Sequence, residues 1–243
     1  MHEFVSLASA PGKTGTYFYN QFFKMLGLDD YTYQAMACTD LLSTIMTLRR
    51  AKGLAGISIT MPFKIEVIKY LDDADASVIK HGCCNTIKVN EGRLIGFNTD
   101  VDGAEHVISM IEPSHSINIL GSGAMGTMLS NMLINQNARM YSRSLGNWEE
   151  RHTTSDVIIN ATGVGTSSPG SPLEDVSGAK LVIDLAMKRG KLADQCDEVR
   201  VAYVGGLVFY KHQFMSQFKI YTGIDANPED FDRIANELFN KAS

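Results

Sequence analysis

Gly121, Gly123 and Gly126 stand at GxGxxG spacing, directly after a predicted strand and directly before a predicted helix. In such a turn the first glycine permits a tight bend and the second lets a pyrophosphate approach the backbone. The third lets the helix pack on the strand, while free N–H groups at the helix start face the anion. The run Gly121, Ser122, Gly123, Ala124, Met125, Gly126 is therefore a candidate dinucleotide site. The following strand ends in Tyr141-Ser142-Arg143-Ser144. An acidic residue there would bind a ribose 2′-hydroxyl and repel a 2′-phosphate, whereas Arg143, beside Ser142, can pair with that phosphate and stack on adenine. NADP is favoured, with NAD as the alternative. Two further charges sit at strand ends: Lys64 after Thr60-Met61-Pro62-Phe63, and Asp100 closing Asn98-Thr99-Asp100. Each alone reads as a solvated charge.

The elements that must position these residues alternate along the chain. Strand-like runs fall at 4–7, 33–37 and 56–60, with helical patterns at 17–26, 41–52 and 64–71. Residues 10–16 read as a Gly-containing loop, Asp40 as an N-cap, Gly53 as a helix stop, and Asn90-Glu91-Gly92 as a hairpin connection between 86–89 and 93–96. A helix over 102–111 leads into a second unit, whose strands fall at 116–120, 138–141, 157–160, 181–184 and 201–204, with a helix from the glycine turn to 134. Strands alternating with helices imply right-handed crossovers and a parallel sheet. From Gly206 the chain is mostly helical, and a last helix starts at Asn227-Pro228 and ends near Lys241.

Bulk composition excludes several classes. A hydrophobic content of 44% with 20% charged residues supports a folded core. The net charge of -5 and the lack of a long basic run exclude nucleic acid as a partner. No apolar stretch approaches the roughly 18 to 20 residues of a membrane span, and MHEFVSLASA lacks signal-peptide character, so a cytoplasmic protein is expected. Cys38, Cys83, Cys84 and Cys196 read as free thiols, and neither they nor the scattered histidines have metal-ligand spacing.

GISITMPFK, GCCNT (82–86), GFNTDVDG, GSGAMG, NATGVG (160–165) and GGLVFYKHQF (205–214) resemble, in order and spacing, the shikimate and quinate dehydrogenases, over nearly the whole chain. The resemblance implies that Lys64 and Asp100 are the catalytic pair. Lys64 acts as proton carrier or as partner of the developing alkoxide, with Asp100 orienting it or the hydroxyl; which of the two carries the proton stays open. It further implies that Thr60, Asn85 and Gln213 bind substrate, their hydroxyl and amide groups suiting a polyhydroxylated ring, and that Ala161, Thr162 and Gly206 belong to the cofactor site.

The chain departs from that family at several points. A Ser-x-Ser-Pro element that grips the substrate carboxylate is replaced by Lys13-Thr14-Gly15-Thr16-Tyr17, where Thr14 and Thr16 keep the hydroxyl spacing. A His-Asn pair aligns with Tyr19-Asn20 or with Asn20-Gln21. Ser58 replaces an asparagine, and Leu185-Ala186-Met187-Lys188 lacks a tyrosine, which resembles the divergent shikimate dehydrogenase-like subgroup. About a dozen residues between Ser144 and Asp156 leave no room for a full crossover with a further strand, so the nucleotide-binding half is trimmed.

The expected fold class is α/β with two domains. The first is an α/β substrate domain over 1–101, completed by 207–243 as a C-terminal helix returns to it. The second is a trimmed Rossmann-type NADP-binding domain over 102–206, with the reaction in the cleft between the two. The expected function is an NADP-dependent oxidoreductase interconverting 3-dehydroshikimate and shikimate or a related hydroxylated ring carboxylate. The resemblance associates that reaction with aromatic amino acid biosynthesis; the sequence leaves monomer and homodimer both open. The alternative is a catalytically weak relative that binds a metabolite or nucleotide as a sensor.

Overall fold

A computed structural model resolves these signals into two units, residues 1–101 with the chain from 213 onward, and residues 102–212. It describes residues 1–152, 154–165 and 168–240.

The first unit is built on a six-stranded sheet of order β2-β1-β3-β5-β6-β4. Its strands are β1 (His2–Ala8), β2 (Tyr31–Ala37), β3 (Leu54–Ile59), β4 (Asp73–Ala74), β5 (Thr86–Asn90) and β6 (Arg93–Phe97). β1 pairs in parallel with β2 and β3, whereas β3, β5 and β6 run antiparallel. Glu91 and Gly92 join β5 to β6 with φ of 50° and 77°, the two left-handed residues that a tight hairpin turn demands. Helix α1 (Thr14–Met25) begins three residues earlier than its apolar spacing predicts, so Thr14 and Thr16 lie in its first turn and not in a loop. Asp40 caps α2 (Leu41–Leu48) by accepting from the Ser43 N–H at 3.0 Å. That helix stops short of Lys52, because i→i+3 bonds tighten residues 47–51 and Arg49 turns its guanidinium onto Asp72 at 2.6 Å.

Residues 64–71 were expected to be helical and form only a 3-10 turn, Glu66–Tyr70. The β-branched Ile65, Val67 and Ile68 weaken an α-helix there. Sequence periodicity also misses β4 and α3 (Ala76–His81), which are too short to repeat a pattern; Asp75 caps α3, and Gly82, at φ 65°, ends it.

The core of this unit has two parts. Val5, Leu7, Ile57, Ile59, Ile87 and Leu94 of the sheet meet Leu41, Ile45 and Leu48 of α2. On the other side, Phe18, Tyr19, Phe22 and Phe23 of α1 pack on Phe214 and Phe218 of α7 (Gly206–Thr222) and Phe231 of α8 (Pro228–Asn240), with most ring centroids 4.6–6.0 Å apart. Such aromatic pairs add about 0.5–1.5 kcal/mol each beyond area burial. The predicted end of the last helix at Lys241 lies outside the described residues.

The second unit carries a five-stranded, wholly parallel sheet of order β11-β10-β9-β7-β8. Its strands are β7 (Ile117–Leu120), β8 (Ala138–Tyr141), β9 (Val157–Asn160), β10 (Leu181–Asp184) and β11 (Ala202–Gly205). β7, β9 and β10 read INIL, VIIN and LVID, the near-continuous apolar runs of strands covered on both faces. Helices α4 (Asp100–Ile108), α5 (Ala124–Met132) and α6 (Lys191–Val199) accompany them. α4 starts two residues before its predicted position, which makes Asp100 its first residue. Among its described residues the β8–β9 link holds only a 3-10 turn, Trp148–His152, and they form no strand beyond β8 of the kind that a six-stranded doubly wound sheet carries. The strand order reverses at β7, and ligands of such sheets bind beyond the C-terminal strand ends at that point. Among the described residues no helix is long and apolar enough to cross a membrane.

Candidate functional site

In the first unit, β3 ends where Thr60 N–H donates to Leu7 O at 3.0 Å, and the turn through Met61 and Pro62 brings Lys64 beside the GCCNT segment, with Cys84 N–H on Lys64 O at 2.8 Å. Asp100 opens α4 with its side chain turned inward, 3% exposed. Lys64 Nζ donates to Asp100 Oδ2 at 2.6 Å. The other carboxylate oxygen, Oδ1, accepts from Asn85 Nδ2 at 2.9 Å. Asn85 also gives Nδ2 to Thr99 Oγ1 at 3.0 Å and takes the Thr99 N–H on Oδ1 at 2.9 Å. Gln213 Nε2 donates to Thr99 Oγ1 at 3.2 Å. Four residues singled out in the sequence, Lys64, Asp100, Asn85 and Gln213, thus share one network through Thr99.

Cys83 lies next to this pair and accepts from Asn98 Nδ2 at 3.2 Å. Burial pushes its thiol up, and the Asp100 carboxylate adds to that against Lys64. It stays a neutral thiol beside the charged pair, with no thiolate nucleophile to offer. Burial also pushes the Cys84 thiol up to about 12.

The three threonines stand apart from the network. Thr14 and Thr60 are half-buried with no side-chain hydrogen bond among the described residues, and so remain open to a ligand. Thr16 differs, because its Oγ1 is enclosed and unpartnered. Lys13 does not cap α1 with its side chain, so the first N–H groups of the helix beside Thr14 lack intrahelical acceptors and suit an anion. Asn20 is occupied: Nδ2 donates to Thr16 O and Tyr33 O, and Oδ1 accepts from Tyr33 N–H, tying α1 to β2. Tyr19 is buried and stacked on Tyr33 at 4.2 Å. Neither half of that pair has a free polar group to present to substrate.

The second unit forms a cavity of about 360 Å³ lined by Gly121, Ser122, Arg143, Ser144, Trp148 and Thr162 among others. Gly121 has φ 105°, and a Cβ there would meet Ala161 O at 2.8 Å. A Cβ on Gly126 would overlap Gly121 O, whereas one on Gly123 would meet nothing within 4 Å. Two of the glycines are thus required by packing, and the third leaves open space where a pyrophosphate can approach. α5 has no side-chain cap, so the N–H groups of Ala124, Met125 and Gly126 face outward for an anion.

Arg143 is exposed, its guanidinium 5.9 Å from the Trp148 ring centroid. Ser144 Oγ lies 2.6 Å from Ser122 Oγ and 3.0 Å from Ser142 Oγ. Ser142 itself is buried and shapes the turn, accepting Leu145 N–H and giving its own N–H to Asn147. The exposed hydroxyl beside Arg143 therefore belongs to Ser144. Thr162 Oγ1 donates to Asn160 Oδ1 at 2.6 Å, and Asn160 Nδ2 donates to Asp184 Oδ1 at 2.8 Å, which fixes the loop after β9. Asp184 also accepts from Ala186 N–H and Tyr203 Oη. A Cβ on Gly206 would meet Leu185 O and Ala186 O at 2.6 Å, so this glycine allows close backbone passage rather than touching the cavity.

The donor set fits a dinucleotide bearing a 2′-phosphate: a glycine turn with room at Gly123, an uncapped helix start, and a cation over an aromatic ring beside serine hydroxyls. Trp148 was missed in the sequence, although it is the sole tryptophan and closely follows Arg143. Gln217 was missed as well, although it lies one turn beyond Gln213 on the same face of α7.

The family model described as the shikimate dehydrogenase substrate binding domain matches residues 15–87. The shikimate dehydrogenase (NADP(+)) of Methanococcus maripaludis is 28% identical over 239 residues, 84% of this chain and 85% of that protein. The structure of shikimate 5-dehydrogenase from Thermus thermophilus in complex with NADP(H) and shikimate superposes with a TM-score of 0.81 at 23% identity, covering 98% of this chain and 99% of that one. A 5-ketofructose reductase of Gluconobacter superposes with a TM-score of 0.78 at 18% identity, over 98% of this chain and 99% of that one.

Proposed function

We propose that this chain, similar to the shikimate dehydrogenases over most of its length, is an NADP-dependent oxidoreductase interconverting 3-dehydroshikimate and shikimate or a related hydroxylated ring carboxylate. The observation that carries this reading is the Lys64–Asp100 pair, 2.6 Å apart, with Asp100 buried within a network of amide and hydroxyl groups. Bound NADP supplies a hydride acceptor or donor. The chain's own residues must then handle the proton at the carbinol oxygen, because carbonyl and alcohol differ by one hydride and one proton.

Lys64 is placed to hold that proton or to face the alkoxide, with Asp100 fixing the ammonium. Gln213 offers its amide to ring hydroxyls, Thr60 a hydroxyl, and Thr14 with the start of α1 a seat for the carboxylate, while Asn85, its amide engaged by Asp100 and Thr99, holds the pair beside them. Gly121 to Gly126 would hold the pyrophosphate, and Arg143 with Ser144 the 2′-phosphate. The substrate half is thus carried by the first unit and the cofactor half by the second. Four cysteines, all free and buried, fit a reducing cytoplasm.

Purified protein mixed with NADP and shikimate, quinate or aminoshikimate tests the proposal through the absorbance of the reduced nicotinamide. Reduction with at least one acid is expected; none with any of the three overturns it. A second reading, a metabolite sensor without turnover, is favoured by the enclosed Thr16 hydroxyl and the occupied Asn20 amide. It predicts a raised thermal midpoint with ligand and no reduction.

A further inference from the structure

Behind the Lys64–Asp100 pair lies a buried polar chain that the proposed chemistry does not use. Gln217, 4% exposed on α7, accepts on Oε1 from Tyr19 Oη at 2.7 Å and from Ser58 Oγ at 3.3 Å. Ser58 Oγ in turn accepts from Tyr33 Oη at 2.7 Å and lies 2.9 Å from Tyr221 Oη. Gln217 Nε2 donates to Thr86 Oγ1 at 2.5 Å and to Asn85 O at 3.4 Å. Thr86 Oγ1 donates to Asn85 Oδ1 at 2.7 Å, and Asn85 Nδ2 donates to Asp100 Oδ1 at 2.9 Å.

The amide links have a fixed direction. An amide nitrogen only donates, so Thr86 Oγ1 accepts from Gln217 and gives its single proton to Asn85 Oδ1 at 2.7 Å, the nearer of its two other neighbours, Thr99 Oγ1 lying at 3.3 Å. Asn85 then faces Thr86 with its oxygen and Asp100 with its nitrogen. Burial pushes Tyr33 up to about 12 and likewise raises Tyr221 well above the ordinary phenol range, so both remain donors at neutral pH. The tyrosine hydroxyls feed the Gln217 oxygen, and the chain ends on a carboxylate, which only accepts.

We propose that Gln217 is a positioning residue for the reaction, acting through Thr86 to hold the Asn85 amide with its nitrogen on Asp100. The kinetic part rests on the oxidoreductase reading above; the positioning part does not. Gln217 touches neither Lys64 nor Asp100 in the network. Its replacement by methionine keeps the length and removes every hydrogen bond.

The test joins NMR of the isotope-labelled full chain with steady-state kinetics. The Asn85 side-chain amide resonance, identified by its loss in Asn85→Ala, is expected to shift in Gln217→Met, and its exchange with solvent to quicken at least about tenfold. kcat/KM for the hydroxy acid should fall on the order of ten- to a hundredfold, while KM for NADP stays within about threefold. Thr86→Val should do the same, and the double variant should lose no more than the worse single one, since both cut one chain.

An unmoved Asn85 resonance in Gln217→Met, or losses that multiply in the double variant, overturns the proposal. If Gln217→Met does not fold, Thr86→Val carries the test, and an unmoved resonance there overturns it equally. A wild-type protein that turns over none of the acids sinks the oxidoreductase reading alone, because the resonance still decides whether Gln217 positions Asn85.

Discussion

Asn85 grips Asp100 from the side opposite Lys64: its Nδ2 holds Oδ1 at 2.9 Å while the lysine holds Oδ2 at 2.6 Å. The carboxylate therefore has one fixed orientation, and the ammonium attached to it inherits that orientation. Asn85→Ala leaves two buried groups without their partner, Asp100 Oδ1 and the Thr99 N–H. Each such group costs about 1–3 kcal/mol. Urea unfolding of the variant should show that loss, and a midpoint equal to wild type would mean that the amide is not holding the pair.

Cofactor choice is expected to rest on Arg143. Removing its guanidinium in Arg143→Ala takes away the charge that pairs with a 2′-phosphate, which NAD lacks; the adenine stacking that both cofactors share is worth less at this exposed position. Charge-assisted bonds of this kind are worth about 1.5–3 kcal/mol, or on the order of ten- to a hundredfold in affinity. KM for NADP should rise by that factor and KM for NAD should stay nearly constant. Equal losses for both cofactors would place Arg143 outside the phosphate site.

The glycines of the turn are not equivalent, and substitution separates them. Gly126→Ala drives a Cβ into Gly121 O, whereas Gly123→Ala meets nothing in the protein. The first variant should lower the thermal midpoint of the second unit. The second should fold like wild type yet bind NADP more weakly, because the added methyl occupies the space left for the pyrophosphate. Calorimetric titration with NADP alongside thermal melting distinguishes the two outcomes.

Asp184 should make the protein less stable as pH rises out of the acid range. Burial raises its carboxyl above the ordinary value of about 3.9, against the lowering effect of Ala186 N–H, Asn160 and Tyr203. Between the unfolded and folded values the native state binds more protons than the unfolded one, so stability falls with rising pH in that window. This is the reverse of a salt-bridged aspartate. Asp184→Asn keeps the oxygen that accepts from Asn160 and Ala186 and cannot ionise. Its stability relative to wild type should therefore be greater at pH 7 than at pH 4, and a difference independent of pH would contradict the assignment.

What the sequence made legible was mostly local. Gly121 to Gly126 can be recognised because the steric demand for glycine arises within one strand-turn-helix unit, and Asp40 and the Glu91-Gly92 turn are legible for the same reason. Lys64 and Asp100 are 36 positions apart, and nothing in their spacing says that they meet; family resemblance supplied that pairing. The role of Asn20 stayed open because an amide on a helix looks the same in sequence whether it faces ligand or ties down a strand. Gln217 escaped notice because its partners, Tyr19, Ser58 and Thr86, come from three distant elements. Only the packed fold shows that these hydroxyls converge.

The most direct measurement is turnover of Lys64→Met beside wild type, with NADP affinity measured by calorimetry on both. A general acid/base contributes about 10²–10⁴-fold. kcat should fall by that range while the NADP dissociation constant stays unchanged, since the substitution leaves the glycine turn and Arg143 intact. A variant that reduces NADP as fast as wild type would contradict the assignment of the proton step to the Lys64–Asp100 pair.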